Sequence, residues 1–200
     1  LTAAVHVVAK AGQRTMATTD RLSGFRQRKD TYFKQHEQSP LTPTQREGFT
    51  ALSYFPENPD LRLSLELDTS GEGIGEEITC GTMDGKAKQY VRAGRVHFEA
   101  EGVPVTLTIF REQSRGNLFL PFRDATAGTE TYAVGRYLEP KALPNGRINV
   151  DFNLAYNPHC AYNSGWSCPI PPFENIVKAP IRAGEVLPDL PHDDSMDTAG

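Results

Sequence analysis

Cysteine is scarce in this chain of 200 residues, with three in all, and tryptophan occurs once. Three thiols are an odd number and far too few for a disulfide-held scaffold, so the fold has to rest on a hydrophobic core. Basic residues are outnumbered: 21 Lys and Arg stand against 25 Asp and Glu, for a formal charge of −4. That balance excludes the clustered positive field with which proteins grip nucleic-acid phosphates. No apolar run nears the roughly 20 residues that cross a bilayer, so no membrane partner is expected. The opening LTAAVHVVAKAG lacks both a charged stretch ahead of its apolar part and a small-residue cleavage site. The resulting expectation is a cytoplasmic protein.

What is present suits a single domain with an ample core. Residues 1–17 read as an N-terminal extension, 18–187 as one β-rich domain opening with helices over 18–48, and 188–200 as a disordered acidic tail. From Thr18 to Glu37 the chain reads as a helix, with Asp20 as N-cap and Leu22, Phe25, Tyr32 and Phe33 near one face. Thr42-Pro43-Thr44-Gln45 has the capping-box pattern, and Gly48 is placed to close a short second helix. From Leu61 the period becomes two: Leu61, Leu63, Leu65 and Leu67 alternate with polar residues, as in a half-buried strand. Val96 and Phe98, the Glu101-Gly102 turn, and Val103, Val105, Leu107 and Ile109 predict a hairpin. Leu118 to Phe122, Thr131 to Leu138 and Ile148 to Phe152 predict further strands, the last after an Asn145-Gly146 turn. The expected class is mainly β (α+β): a single antiparallel β-sandwich or half-open barrel with the N-terminal helices packed against it.

The densest chemistry lies in Asp151–Asn175, DFNLAYNPHCAYNSGWSCPIPPFEN, which holds two cysteines, the tryptophan and four prolines. Proline fixes φ and removes donors, so this run is irregular, while its aromatic content argues for burial. Cys160 and Cys168 stand seven residues apart, too far for the usual zinc-ligand spacing, and His159 would point away from Cys160 on extended backbone. No metal and no cofactor is expected. A Cys160–Cys168 bridge would contribute roughly 2.5 kcal/mol on the chain-entropy account. In a reducing compartment the pair stays as buried free thiols, and that is the reading carried forward. Arg123 and Arg136 can recognise a carboxylate or phosphate, or can pin a loop by pairing with Asp124, Glu130 or Glu174.

PFRDAT, GTETYAVGRYL, DFNLAYNPHCAY, CPIPPFEN and the closing IRAGE resemble the signature of a bacterial and archaeal family catalogued only as a domain of unknown function. The resemblance runs from the first helix to Glu185. It implies no activity, but it directs attention to Arg123, Asp124, Thr126, Gly135, Arg136, Tyr137, Asn153, Tyr156, Asn157, Cys160, Cys168 and Asn175, which fall on its motifs. His159 falls between them. The expected function is binding of a small anionic or polar molecule near Arg123 and Arg136. The expected lining is Arg123, Asp124, Thr126, Glu130, Arg136, Tyr137, Asn153, Tyr156, Asn157, Cys160 and Asn175. Two alternatives stay open: a non-catalytic structural or protein-interaction domain, and a hydrolase-type enzyme using the same pocket. Oligomeric state has no signature in the chain.

Overall fold

Helix α1 spans Ala11–Gln35 in the computed structural model, which describes residues 11–193. It starts earlier than Asp20 because no proline interrupts the chain from 11 onward, so Asp20 lies inside the helix rather than capping it. Leu22 and Phe33 are buried along it. Phe33 meets Tyr162 edge-on at 5.2 Å, and the Lys29 ammonium pairs with the buried Glu185 carboxylate. These contacts lay α1 against the irregular C-terminal half of the chain. Helix α2 (Pro43–Gly48) has the expected capping box: Gln45 N–H donates to Thr42 Oγ1 at 3.3 Å, and Thr42 N–H donates to Gln45 Oε1 at 3.0 Å. The Gln45 amide goes further, donating to Tyr162 O and Pro191 O, both at 2.8 Å. Residues 188–193 are thereby held against α2. The rest of the expected tail and residues 1–10 lie outside the described residues.

Eight strands follow: β1 (Arg62–Leu65), β2 (Glu77–Gly81), β3 (Ala87–Ala100), β4 (Val103–Glu112), β5 (Leu118–Phe122), β6 (Arg136–Leu138), β7 (Lys141–Ala142) and β8 (Ile148–Asp151). Five form a sheet in the order β2-β3-β4-β5-β6 and three another in the order β1-β8-β7, every ladder antiparallel. The β3–β4 hairpin is the frame. Its turn takes Glu101 and Gly102 to φ of 47° and 76°, the twist-matched two-residue type. Val96 opposite Leu107 and Phe98 opposite Val105 point inward, where they meet Leu120, Phe122, Val150, Phe152 and Ile181. A bulge between Arg92 and Gly94 bends β3. A Cβ at Gly94 would sit 2.6 Å from Leu67 and 2.9 Å from Asp68 O, so only glycine lets the Leu67-Asp68 segment lie this close. There Asp68 bridges to Arg95, and across the molecule Tyr156 bridges to Tyr137. Those two seams curl the sheets into a half-open barrel with α1 and α2 packed against it.

The Thr131–Leu138 strand expected from the sequence shortens to Arg136–Leu138. Thr126 O instead accepts from the N–H groups of Thr129, Glu130 and Thr131, which folds the preceding loop back on itself. The β5 ladder also stops early. Beyond Phe119 the register would set Pro121 opposite Thr108, but proline has no N–H to give.

Candidate functional site

Alternation along β6 decides the chemistry of the region. Arg136 and Tyr137 are neighbours in sequence and therefore face opposite sides of the sheet. Arg136 turns inward and is fully closed off from solvent. Its guanidinium donates to Ala183 O at 2.6 Å, Glu185 O at 3.0 Å, Ile181 O at 2.7 Å and Asp124 Oδ1 at 3.3 Å. Asp124 in turn accepts from Ile181 N–H at 2.7 Å and Thr126 Oγ1 at 2.8 Å. Burial pushes the Arg136 pKa down, and Asp124 opposes that shift. This cluster ties the IRAGE segment to the loop after β5 and leaves no face of Arg136 for a ligand. Arg123 is exposed, and its Nε donates to Ala133 O at 2.9 Å. The expected convergence of the two arginines on one pocket gives way to this separation, because the residue parity of 123 and 136 and the fold of the loop send them apart.

Most of the other expected lining residues are also internal. Asn153 exchanges hydrogen bonds with Asn58 (2.7 and 2.8 Å), and Asn157 donates to the Glu185 carboxylate and Val186 O. Asn175 bonds to Thr108 and Pro121, while Glu130 pairs with Arg182 on the surface. Thr126 is buried on Asp124 and Thr131. Such amides and carboxylates substitute for the backbone pairing that an irregular segment lacks.

Tyr137, buried, and Tyr156, half-buried, lie across the sheet from Arg136 and line a concavity. Two adjoining hollows of about 240 Å³ and 220 Å³ share Lys88, Tyr137, Tyr156 and Pro169 and form one groove. A file of rings makes its wall: Tyr90 stacks on Phe119 at 5.4 Å, Phe119 meets Tyr137 at 4.9 Å, and Tyr137 meets Tyr156 at 5.8 Å. The hydroxyl of Tyr137 donates to Pro169 O and that of Tyr156 to Glu139 at 3.0 Å, so both rings are fixed from their far ends. Lys88 from β3 and Arg115 from the β4–β5 turn are exposed, and neither forms an ion pair among the described residues. Glu112 and Glu139 also line the groove. At its other end stand Trp166, His159 and Cys168. A separate hollow of about 290 Å³ beside α1 is lined by Arg21, Leu22, Phe25 and Leu154 together with Arg62, which Glu57 and Asp151 neutralise. Sequence reasoning missed Lys88, Arg115, Tyr90 and Phe119. The first two lie in turns and strand ends that carry no motif, and the aromatic pair reads from sequence as ordinary core.

The motifs of the sequence now have a family. Residues 47–186 match the model described as "Protein of unknown function (DUF1684)". The chain belongs to the DUF1684 family. It is similar to the solution NMR structure of an uncharacterized protein of Haloarcula marismortui, at 38% identity and a TM-score of 0.64, covering 87% of this chain and 96% of that one. No curated protein matches it. Among the described residues no three His, Cys, Asp or Glu side chains converge as a metal site, and no helix is long and apolar enough to cross a membrane.

His159 of this DUF1684 chain contacts Trp166 (4.6 Å) and Phe33 (6.4 Å) edge-on, and burial with Lys29 nearby pulls its pKa from 6.5 to about 4. The folded protein therefore holds a neutral imidazole where the unfolded chain would already be charged. Stability on this account is fully present above pH 6.5 and falls as the pH drops toward 4. The expected loss by pH 4.5 is on the order of 2–3 kcal/mol. Urea denaturation at stepped pH should show that slope, and His159→Gln should flatten it. An unchanged slope in the variant would assign the acid sensitivity elsewhere.

Proposed function

We propose that this DUF1684 chain is a binding protein for a small molecule carrying a flat ring and an anionic group, taken into the groove along Tyr90, Phe119, Tyr137 and Tyr156. One observation carries the reading: aromatic rings and two cations without ion pairs among the described residues, Lys88 and Arg115, line the same concave surface. Rings held by their own hydroxyl bonds offer apolar area at little entropic cost, and such convergent polar groups on an apolar wall are the usual form of a ligand site. Glu112 and Glu139 beside them favour a ligand that also has a hydroxyl or amine to donate. A cytoplasmic place of action belongs to this reading, since all three thiols are unbridged.

Titration of the isotope-labelled protein with aryl carboxylates and aryl phosphates should move the amide resonances of Lys88, Tyr90, Phe119, Tyr137 and Tyr156. Acetate and inorganic phosphate should bind at least about tenfold more weakly, which is the effect of losing about 1.4 kcal/mol of ring contact. The Lys88→Ala/Arg115→Ala double variant should lose binding while its stability changes by no more than about 0.5 kcal/mol, as exposed side chains do. If no aryl anion moves the groove resonances, the reading falls. A protein-interaction role would then gain, because Phe173 stands 89% exposed between the exposed Ile170 and Ile176. A change in hydrodynamic size on Phe173→Ser would speak for it.

A further inference from the structure

The two cysteines of the irregular segment meet below the groove. Cys160 N–H donates to Cys168 Sγ at 3.3 Å, and both side chains lie in one buried cluster with Tyr137. Their surroundings differ. Cys168 lines the 220 Å³ hollow with Lys88, His159 and Trp166, whereas Cys160 lies behind it under Tyr132 and Tyr137. The seven residues between them form turns and irregular backbone, so nothing like a rigid strand holds the sulfurs apart. The third cysteine, Cys80, is buried with Tyr90 and Phe110 and has no thiol neighbour.

We propose that Cys168 and Cys160 are an oxidisable dithiol, in which Cys168 meets a small hydroperoxide entering by the groove and Cys160 then closes a disulfide onto it. In the first step the Cys168 thiolate attacks the outer oxygen of the hydroperoxide. An S–O bond forms, the O–O bond breaks, and the departing alkoxide or hydroxide leaves as alcohol or water. Sulfur is oxidised by two electrons and the peroxide is reduced by two. In the second step Cys160 sulfur attacks Cys168 sulfur, the S–S bond forms, the S–O bond breaks, and hydroxide leaves as water with the Cys160 proton.

The division of roles follows from the donors. The Cys160 N–H donates to the Cys168 sulfur, and Lys88 lines the hollow onto which that sulfur opens. The neighbouring Cys160 side chain first, then this N–H and the Lys88 charge, draw the Cys168 pKa down. For Cys160 the neighbouring Cys168 and burial outweigh the Tyr132 hydroxyl and push the pKa upward. The sulfur that lines the hollow is also the one that accepts the N–H, which is the arrangement expected of an attacking thiol with a resolving partner behind it. The other ionisable groups around the pair are His159, Tyr132, Tyr137 and His192; the imidazole of His192 bonds to Cys160 O at 3.1 Å, and the hydroxyl of Tyr132 donates to the same oxygen at 3.3 Å. This inference is independent of whether the groove holds an organic ligand.

The test is treatment of the reduced full chain with hydrogen peroxide, followed by alkylation and peptide mapping. The expected result is loss of two of the three thiols, a mass lower by two hydrogen atoms, and a linked Cys160–Cys168 peptide, all reversed by dithiothreitol. Cys168 should react at least tenfold faster than Cys80. In Cys160→Ser, dimedone should trap a sulfenic acid on Cys168; in Cys168→Ser no residue should be trapped. Reaction of Cys80 at the rate of Cys168 would overturn the proposal. So would Cys168 passing to sulfinic acid with Cys160 unchanged, or three intact thiols after glutathione in the same tube has been oxidised. The wild-type map decides the question even if a variant fails to fold.

Discussion

Arg136→Gln is expected to lower the free energy of unfolding by about 3–5 kcal/mol, the cost of breaking a buried ion pair from one side. Asp124 is 5% exposed and would keep its charge with only Ile181 N–H and Thr126 to answer it. Three carbonyls, on Ile181, Ala183 and Glu185, would lose their donors as well. Glutamine is too short to reach them from β6, and lysine carries its charge on a single nitrogen that cannot span all three. Arg123→Gln is the control. Its side chain is exposed and makes one bond to Ala133 O, so the expected change is within about 1 kcal/mol. Urea denaturation of the two variants beside the wild type measures both. A small effect at Arg136 would mean that the closing segment is held by its apolar residues, Ile181 and Ala183, and that the guanidinium is dispensable. Replacing Asp124 together with Arg136 by apolar residues should recover part of the loss, since the orphaned charge is then removed.

Asn175→Ala is expected to cost about 3 kcal/mol, although it removes only a small side chain that touches no ligand. The amide stands in for a strand. Where β5 leaves β4, Thr108 N–H donates to Asn175 Oδ1 at 2.8 Å, and Asn175 Nδ2 donates to Thr108 O and Pro121 O, also at 2.8 Å. Its residue is entirely buried, so no water replaces these bonds without opening the sheet. Alanine leaves one donor and two acceptors without partners. Asn175→Asp should be worse still, because a carboxylate oxygen would then face two carbonyls. Amide exchange gives an independent readout, with Thr108 N–H expected to lose protection by at least tenfold in Asn175→Ala. Retained protection there would show that β4 and β5 close the gap unaided.

Local rules that need only a few residues were legible in the sequence. The capping box at Thr42 and Gln45, the Glu101-Gly102 turn and the alternation of Val96, Phe98, Val105 and Leu107 each act over neighbours or a direct cross-strand pair. They determined the second helix, the long hairpin and an antiparallel β-rich class. The same period-two rule applied to Arg136 and Tyr137 separates them, so a site drawn from both required two opposite faces of one strand. What the tertiary structure decided is which side becomes a ligand-sized hollow. Lys88, Arg115 and Tyr156 come together from chain positions up to 68 residues apart, by the curl that Gly94 permits and the Tyr137–Tyr156 seam completes. Asn175 fills a gap that exists only because Pro121 lies opposite Thr108. Residue type and local spacing encode strand, turn and cap because those energies are short-ranged. Burial of Arg136, assembly of the aromatic wall and contact between Cys160 and Cys168 depend on how separate segments pack, and no local pattern carries that information.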